Sequence, residues 1–242
     1  VSTVILLCGG LNIELRPFTD YTPKCLLPIK NKTILEWNLE WLEKNNFKNV
    51  IINESFCIPQ MELAIKKYKG SLKIQQRTEK ILLGTAQSVY EYSFGLDEDF
   101  LVINGDNLYN FDLRKMYESH LKTNANCTVA IHDTTKHEKN KSVVKLTENG
   151  MIEKIIPRSN FKFKKPTAVF AGVGVVKPKF REQINLRKDV DFWSNTLSRK
   201  SEQLMPYKIN EGLTCFNSPS EYNRINETYR TIDHFFIGHE RY

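Results

Sequence analysis

The sequence predicts an α/β fold, with a Rossmann-like, mainly parallel (mixed) sheet flanked by helices. Three observations predict it. Short apolar runs recur through the first half of the chain, stretches of helical period alternate with them, and two of the runs end in Cys8-Gly9-Gly10 and Gly105-Asp106-Asn107. Apolar runs alternating with helical patterns build parallel sheets covered on both faces, because each crossover lays a helix on the sheet.

In chain order, Ser2–Cys8 is a nearly continuous apolar strand, of the kind buried on both faces, and Gly9 and Gly10 break it. Ile34–Asn45 places Ile34, Trp37, Leu39, Trp41 and Leu42 at roughly helical spacing, which gives the first helix its apolar face. "NVIIN" (Asn49–Asn53) is a short strand followed by a helix near Gln60–Tyr68, and "LKIQQ" is the next strand. A helix over Thr85–Tyr92 starts just after Gly84, and "DFLVING" (Asp99–Gly105) is a third buried strand. Beyond residue 125 the rhythm changes: "CTVAIHD", "SVVKL", "MIEKII" and "AVFAGVGVV" read as successive strands with few helices between them. Helices are expected again near Lys179–Ile184, over Phe192–Gln203 and from Pro219 to about Tyr229. No internal repeat or low-complexity linker divides the 242 residues, so a single domain is expected over 1–242.

Composition excludes several classes. Hydrophobic residues make up 40% and charged residues 26%, ordinary for a globular protein and unlike a disordered or fibrous chain. The net charge of +7 favours anionic ligands, either nucleic acid or phosphorylated small molecules. The lysines come singly or in short clusters such as "FKFKKP" (Phe161–Pro166), without a basic block that reads as a nucleic-acid tail, so neither nucleic acid nor membrane is an expected partner. Five cysteines (Cys8, Cys25, Cys57, Cys127 and Cys215) are an odd number with no Cys/His spacing suited to zinc, which fits free thiols in a reducing compartment. The opening "VSTVILLCGG" has no charged leader and its apolar run is too short to span a bilayer. A cytoplasmic protein is the expectation.

In open α/β sheets, ligands bind beyond the carboxyl ends of the strands. Glycines there let backbone N–H groups approach phosphate oxygens, and a basic side chain adds charge. Lys24, fixed between Pro23 and the apolar "CLLPI", is the candidate cation. Asp106, at a strand end, is placed to hold Mg²⁺, a hard cation that prefers carboxylate and phosphate oxygens.

Order and spacing then match a known pattern. Residues Gly9-Gly10-Leu11-Asn12-Ile13-Glu14-Leu15-Arg16-Pro17-Phe18-Thr19, followed by Pro23-Lys24-Cys25-Leu26-Leu27-Pro28, resemble the amino-terminal signature of the sugar-phosphate nucleotidyltransferases, G-G-x-G-T-R-L-x-P-x-T and P-K-x-L-x-P. "LLGTAQSV" (Leu82–Val89) resembles the family's L-G-T-A segment beside the base, "LVINGDN" its metal-binding strand end, and "NSPSEYNRIN" its closing T-P-x-x-Y helix. The resemblance implies a nucleotidyltransferase-type fold, with 1–124 as the nucleotide-binding half and 125–242 as the acceptor-binding half. It implies attack by a phosphorylated acceptor, a sugar 1-phosphate, on the α-phosphate of an NTP, with Mg²⁺ as cofactor and pyrophosphate released. Gly9, Gly10, Gly84, Thr85 and Ala86 would then meet the nucleotide, Lys24 the phosphates, Asp106 the metal, and Arg158 and Gly172 the acceptor. Two alternatives stay open: a cytidylyltransferase acting on a non-sugar phosphate, and a catalytically silent binding or regulatory subunit.

The departures from the pattern fall on charge. Asn12 stands at a loop glycine, Glu14 at the arginine that grips the triphosphate, and Cys215 at the second metal-binding aspartate, while Arg158 stands at the lysine of the acceptor-side E-K-P. At about 4 Å and an effective dielectric near 20, each unit charge pair is worth roughly 4 kcal/mol, so exchanging arginine for glutamate matters. Either Arg16 turns inward to supply the missing cation, or the loop no longer grips a triphosphate. Asp191 and Glu211 are candidate acids to complete a metal site. The five histidines form no motif, Trp37 and Trp41 read as core, and Cys25 as a small buried residue. The tail "TIDHFFIGHERY" either covers the core or docks a partner subunit, the latter compatible with a homo-oligomer.

Overall fold

The computed structural model describes residues 2–132, 142–157, 168–197, 204–210 and 212–231. Strands β1 (Thr3–Leu7), β4 (Asn49–Glu54), β5 (Lys73–Thr78) and β6 (Phe100–Asn104) pair in the order β5-β4-β1-β6, all parallel. The sheet continues through β11 (Ala168–Val176), which runs antiparallel to β6, and on to β9 (Val143–Leu146) and β10 (Ile152–Ile156). A branch off β11 carries β8 (Cys127–His132) and β12 (Leu204–Ile209). Two short ribbons complete the strands: β2 (Pro28–Ile29) with β3 (Lys32–Thr33), and β7 (Leu108–Tyr109) with β13 (Leu213–Thr214).

Period-two alternation in β1 sends Val4 and Leu6 to one face and Ile5 and Leu7 to the other. The first face is covered by α1 (Ile34–Lys44), α2 (Ile58–Lys67) and α4 (Leu113–Leu121). The second face is covered by α3 (Thr85–Tyr92) and by the turn at Phe192–Thr196. Val4, Ile5 and Leu6 are completely buried, which stabilises by roughly 1.5–3 kcal/mol per side chain. A third, smaller cluster packs Leu15, Leu27, Ile34 and Phe216 against Tyr222 and Ile225 of α5 (Pro219–Thr231), and so moors the segment after the glycine pair.

Local chemistry sets the element ends. Thr33 and Glu36 form a reciprocal capping box that starts α1, an arrangement worth about 1 kcal/mol. The second helix starts at Ile58, two residues before the expected Gln60, because Pro59 is tolerated in a first turn whose N–H groups have no intrahelical partner. Two expected helices take other forms in the described residues. Pro178–Gln183 is a tight 3-10 turn, and Phe192–Thr196 is a π-helical turn capped by Asp191; residues 198–203 of that expected helix lie outside the described residues. Among the described residues, no helix is long and apolar enough to cross a membrane.

Candidate active site

The chain runs β1, β4, β5 outward in one direction, then returns to place β6 on the other side of β1. The carboxyl ends of β1 and β6 therefore flank a topological switch point, the place where open α/β sheets bind ligands. There the backbones close up, with Gly105 N–H donating to Leu7 O at 2.8 Å. A cleft of about 200 Å³, open to solvent, lies over these strand ends.

Gly9 and Gly10 form one side of the cleft. Gly9 is held through both of its backbone polar groups: its N–H donates to Asn53 Oδ1 at 3.2 Å, and its carbonyl accepts from Ser55 Oγ at 2.6 Å. A Cβ on Gly9 would stand 2.8 Å from Asn53 Nδ2, so this close approach requires glycine. Gly84 and Thr85 line the cleft as well. Gly84 has φ +82°, and a Cβ there would meet the Val190 carbonyl at 2.6 Å. The Thr85 hydroxyl is fully committed, donating to Asp191 Oδ2 at 3.0 Å and accepting from Phe192 N–H at 2.8 Å. Ala86 was expected on this wall, but it sits behind it. Its amide bonds Val190 O at 3.1 Å and its side chain is buried in the core beside Val89.

Asp106 lines the cleft and pairs with Lys24, Nζ to Oδ2 at 3.0 Å. The Lys24 side chain is completely buried beneath it, with a second bond to Asn217 Oδ1 at 3.2 Å and the Phe216 ring 5.0 Å from its ammonium. Lys24 thus meets the cleft through the Asp106 carboxylate. Asn38 Nδ2 holds the carbonyls on both sides of Asp106, donating to Gly105 O at 3.2 Å and Asn107 O at 2.9 Å. Cys8, also on the wall, is kept a thiol: its hydrogen bond with Cys25 and its burial push the pKa well up.

Arg16 is not brought to the cleft. Its guanidinium pairs with Asp20 at 3.1 Å, its side chain is 65% exposed, and it does not supply the missing cation in this conformation. Glu14 is also exposed, on the short turn Ile13–Leu15, whose buried Leu15 anchors it to the third cluster and leaves its neighbours outward. Asn12 does line the cleft, with φ 46° and ψ 48°. Asparagine is among the few residues that adopt this left-handed backbone readily, so the loop keeps the conformation a glycine would give. Gly172 lies in β11 with φ +78°, and a Cβ there would stand 2.9 Å from the Tyr109 hydroxyl; it is not among the residues lining the cleft. Arg158 and Glu211 lie outside the described residues.

Sequence reasoning missed the polar residues that complete the walls. Glu79, only 4% exposed, faces the cleft just past β5 and accepts from Asn53 Nδ2 at 2.9 Å, Ser88 Oγ at 2.6 Å and Tyr92 OH at 2.9 Å, all on Oε1. Its other oxygen has a long bond of 3.5 Å from Leu83 N–H. A polar run at a strand end, Asn53-Glu54-Ser55 and Thr78-Glu79-Lys80, was the signal available for Asn53 and Glu79, and nothing in the spacing distinguished them from strand terminators. Asp191, a candidate acid for the metal site, lines the cleft with Asp106 and also caps the Phe192 turn through Ser194 and holds Thr85. Among the described residues, no three His, Cys, Asp or Glu side chains gather to hold a metal.

A glycine-walled cleft at the switch point of an α/β sheet, with a buried lysine beneath an aspartate, is the ligand-site geometry of open α/β proteins. Comparison with known proteins narrows the class: residues 3–160 match the model of the nucleotidyl transferase family, and the chain belongs to that family. One similar relative is the D-glycero-alpha-D-manno-heptose 1-phosphate guanylyltransferase of Aneurinibacillus thermoaerophilus, 30% identical over 141 residues, or 58% of this chain and 61% of that one. Another is the mannose-1-phosphate guanyltransferase beta-A of Xenopus laevis, 28% identical over 76% of this chain and 52% of the relative. The chain thus spans between about half and three-fifths of these relatives' lengths. The fold is shared with HddC of Yersinia pseudotuberculosis at a TM-score of 0.80 and 18% identity, covering 95% of this chain and all of that one. It is shared as well with a putative glucose-1-phosphate thymidylyltransferase of Bacillus anthracis, at a TM-score of 0.79 and 18% identity over 96% of this chain and 97% of that one.

Proposed function

We propose that this protein transfers a nucleoside monophosphate from an NTP to a sugar 1-phosphate. The carrying observation is the juxtaposition of the Gly9-Gly10 turn with the Lys24–Asp106 pair at the sheet's switch point. An oxygen of the sugar phosphate attacks the α-phosphorus of the NTP, a new P–O–P bridge forms, and the bond to the β-phosphate oxygen breaks to release pyrophosphate. Such a displacement depends on alignment and on neutralising phosphate charge, because little bond chemistry falls to the protein.

The donor set fits Mg²⁺ held by one carboxylate. Asp106, 28% exposed, offers a hard oxygen, and substrate phosphates and water complete such a site, whereas the Cys215 thiol is a poor magnesium ligand. When bound, the ion would supply charge neutralisation at the phosphates. Lys24 then holds the Asp106 carboxylate in place and adds positive charge beneath the phosphate subsite.

A guanine nucleotide is the base favoured. The less committed Glu79 oxygen, Oε2, with a single long bond at 3.5 Å, is an acceptor facing the cleft, and guanine's N1–H or N2–H₂ offers a donor to it. The guanylyltransferases among the relatives support the same reading. The deciding experiment measures pyrophosphate release from GTP, UTP, CTP, ATP and dTTP, each with mannose 1-phosphate, D-glycero-α-D-manno-heptose 1-phosphate, glucose 1-phosphate and non-sugar phosphates. Release with GTP and a sugar 1-phosphate supports the reading. Release only with CTP and a non-sugar acceptor, or binding without any release, replaces it.

A further inference from the structure

Gly9 and Glu79 both line the cleft, and one side chain touches both. Asn53, at the carboxyl end of β4 and only 4% exposed, accepts on Oδ1 from Cys8 N–H at 2.6 Å and Gly9 N–H at 3.2 Å. Its Nδ2 donates to Glu79 Oε1 at 2.9 Å. The orientation of this amide is forced, because backbone N–H groups only donate and a carboxylate only accepts. Glu79 Oε1 also takes the hydroxyls of Ser88 and Tyr92, so the glycine turn, β4, the end of β5 and α3 meet in a single buried network.

We propose that Asn53 is a positioning residue that couples the glycine turn to the base-side wall, fixing the distance between the phosphate and base subsites. This rests on the reading of the cleft as a nucleotide site. The physical reason is polarisation. A carboxylate pulling on Nδ2–H makes Oδ1 a better acceptor, so the charge of Glu79 strengthens the grip on the Cys8 and Gly9 amides. Because those two N–H groups are already bonded, they shape the turn and leave the later residues of the loop to meet phosphate.

The test uses Asn53→Ala, Asn53→Asp, and Asn53→Asp combined with Glu79→Gln, each checked by a thermal melt. Two quantities are read: hydrogen exchange at Cys8 and Gly9 without nucleotide, and the Kd for GTP with Mg²⁺ by calorimetry. In Asn53→Ala both amides should exchange faster and GTP should bind about tenfold more weakly, the scale of losing one charge-assisted hydrogen bond. Asn53→Asp sets two carboxylates face to face and should do worse. The double variant restores a donor opposite an acceptor and should recover amide exchange at Cys8 and Gly9 to within about threefold of the unmodified protein, which simple structural damage would not allow; it is read by exchange alone, because Glu79 itself faces the base. Unchanged amide exchange in a folded Asn53→Ala protein, or a double variant no better than Asn53→Asp, overturns the coupling. If Asn53→Ala does not fold, Asn53→Ser is read by the same two criteria. Failure of the unmodified protein to bind any NTP would sink the nucleotide reading instead, and amide exchange would still decide the role of Asn53.

Discussion

At Lys24 a full positive charge sits in the interior with two polar partners, Asp106 and Asn217. Removing one partner of a buried ion pair leaves the other uncompensated, at about 3–5 kcal/mol. Asp106→Ala should therefore lower stability as well as activity, and it is a poor probe of chemistry. Asp106→Asn keeps an acceptor for Lys24 and removes the negative charge. We expect it to melt well above Asp106→Ala and to slow pyrophosphate release at least about a hundredfold, since roughly 2.7 kcal/mol of lost electrostatic stabilisation has that effect. Full activity in Asp106→Asn would remove this carboxylate from the reaction. His120 is another buried polar residue, bonded to Thr128 Oγ1 at 2.7 Å and 3.3 Å from Asp99. Burial lowers its pKa below the ordinary 6.5, Asp99 offsets this only in part, and Lys177 adds to the lowering. The unfolded chain then binds the extra proton first. The stabilisation is complete above the unfolded value near 6.5 and is lost as pH falls through the lower folded value. Melting temperature should drop between about pH 7 and pH 5, and His120→Gln, which can still bond Thr128, should flatten that drop.

At the scale of elements, the segment from Leu11 to Tyr21 behaves as two parts. Asn12 belongs to the cleft, while Ile13 to Arg16 form an outward turn moored by Leu15. Glu14 therefore acts on a nucleotide through solvent, where charge is screened over about 10 Å at 0.1 M salt. Glu14→Arg should leave the melting temperature nearly unchanged, as exposed substitutions do, and tighten GTP binding a few-fold at low salt. The gain should vanish at about 0.5 M salt; an equal affinity at every salt concentration places Glu14 beyond reach of the phosphates. The elements themselves were largely legible. Buried strands such as Thr3–Leu7 carry unbroken apolar runs, and α1 carries both its apolar face and its Thr33/Glu36 start signal. The turn at Phe192–Thr196 was not legible as such. Its start at Phe192 was expected, but its π-helical form was not, because Thr85, far away in sequence, holds both Asp191 and the Phe192 N–H.

For the whole molecule, the strand order β5-β4-β1-β6 predicts a nucleotide footprint across two strand ends. Titrating GTP into isotope-labelled protein should shift the amides of Gly9, Gly10, Asn12, Gly84 and Thr85 together, and a footprint confined to β8 and β12 would contradict the placement. By itself the sequence determined the strands and most helices of the first half, the two glycine-bearing turns, and Lys24 and Asp106 as a charged pair of candidates. Those features are local: apolar period, turn chemistry and a short motif lie within a few residues of one another. Only the tertiary structure decided that Lys24 is buried under Asp106, that Arg16 turns to Asp20, and that Asn53 and Glu79 close the cleft. Each of these contacts joins a polar side chain to a partner chosen by folding. A polar residue's partner leaves no periodic trace in sequence, because one hydrogen bond needs a single well-placed atom, whereas a buried face needs a repeated pattern of apolar residues.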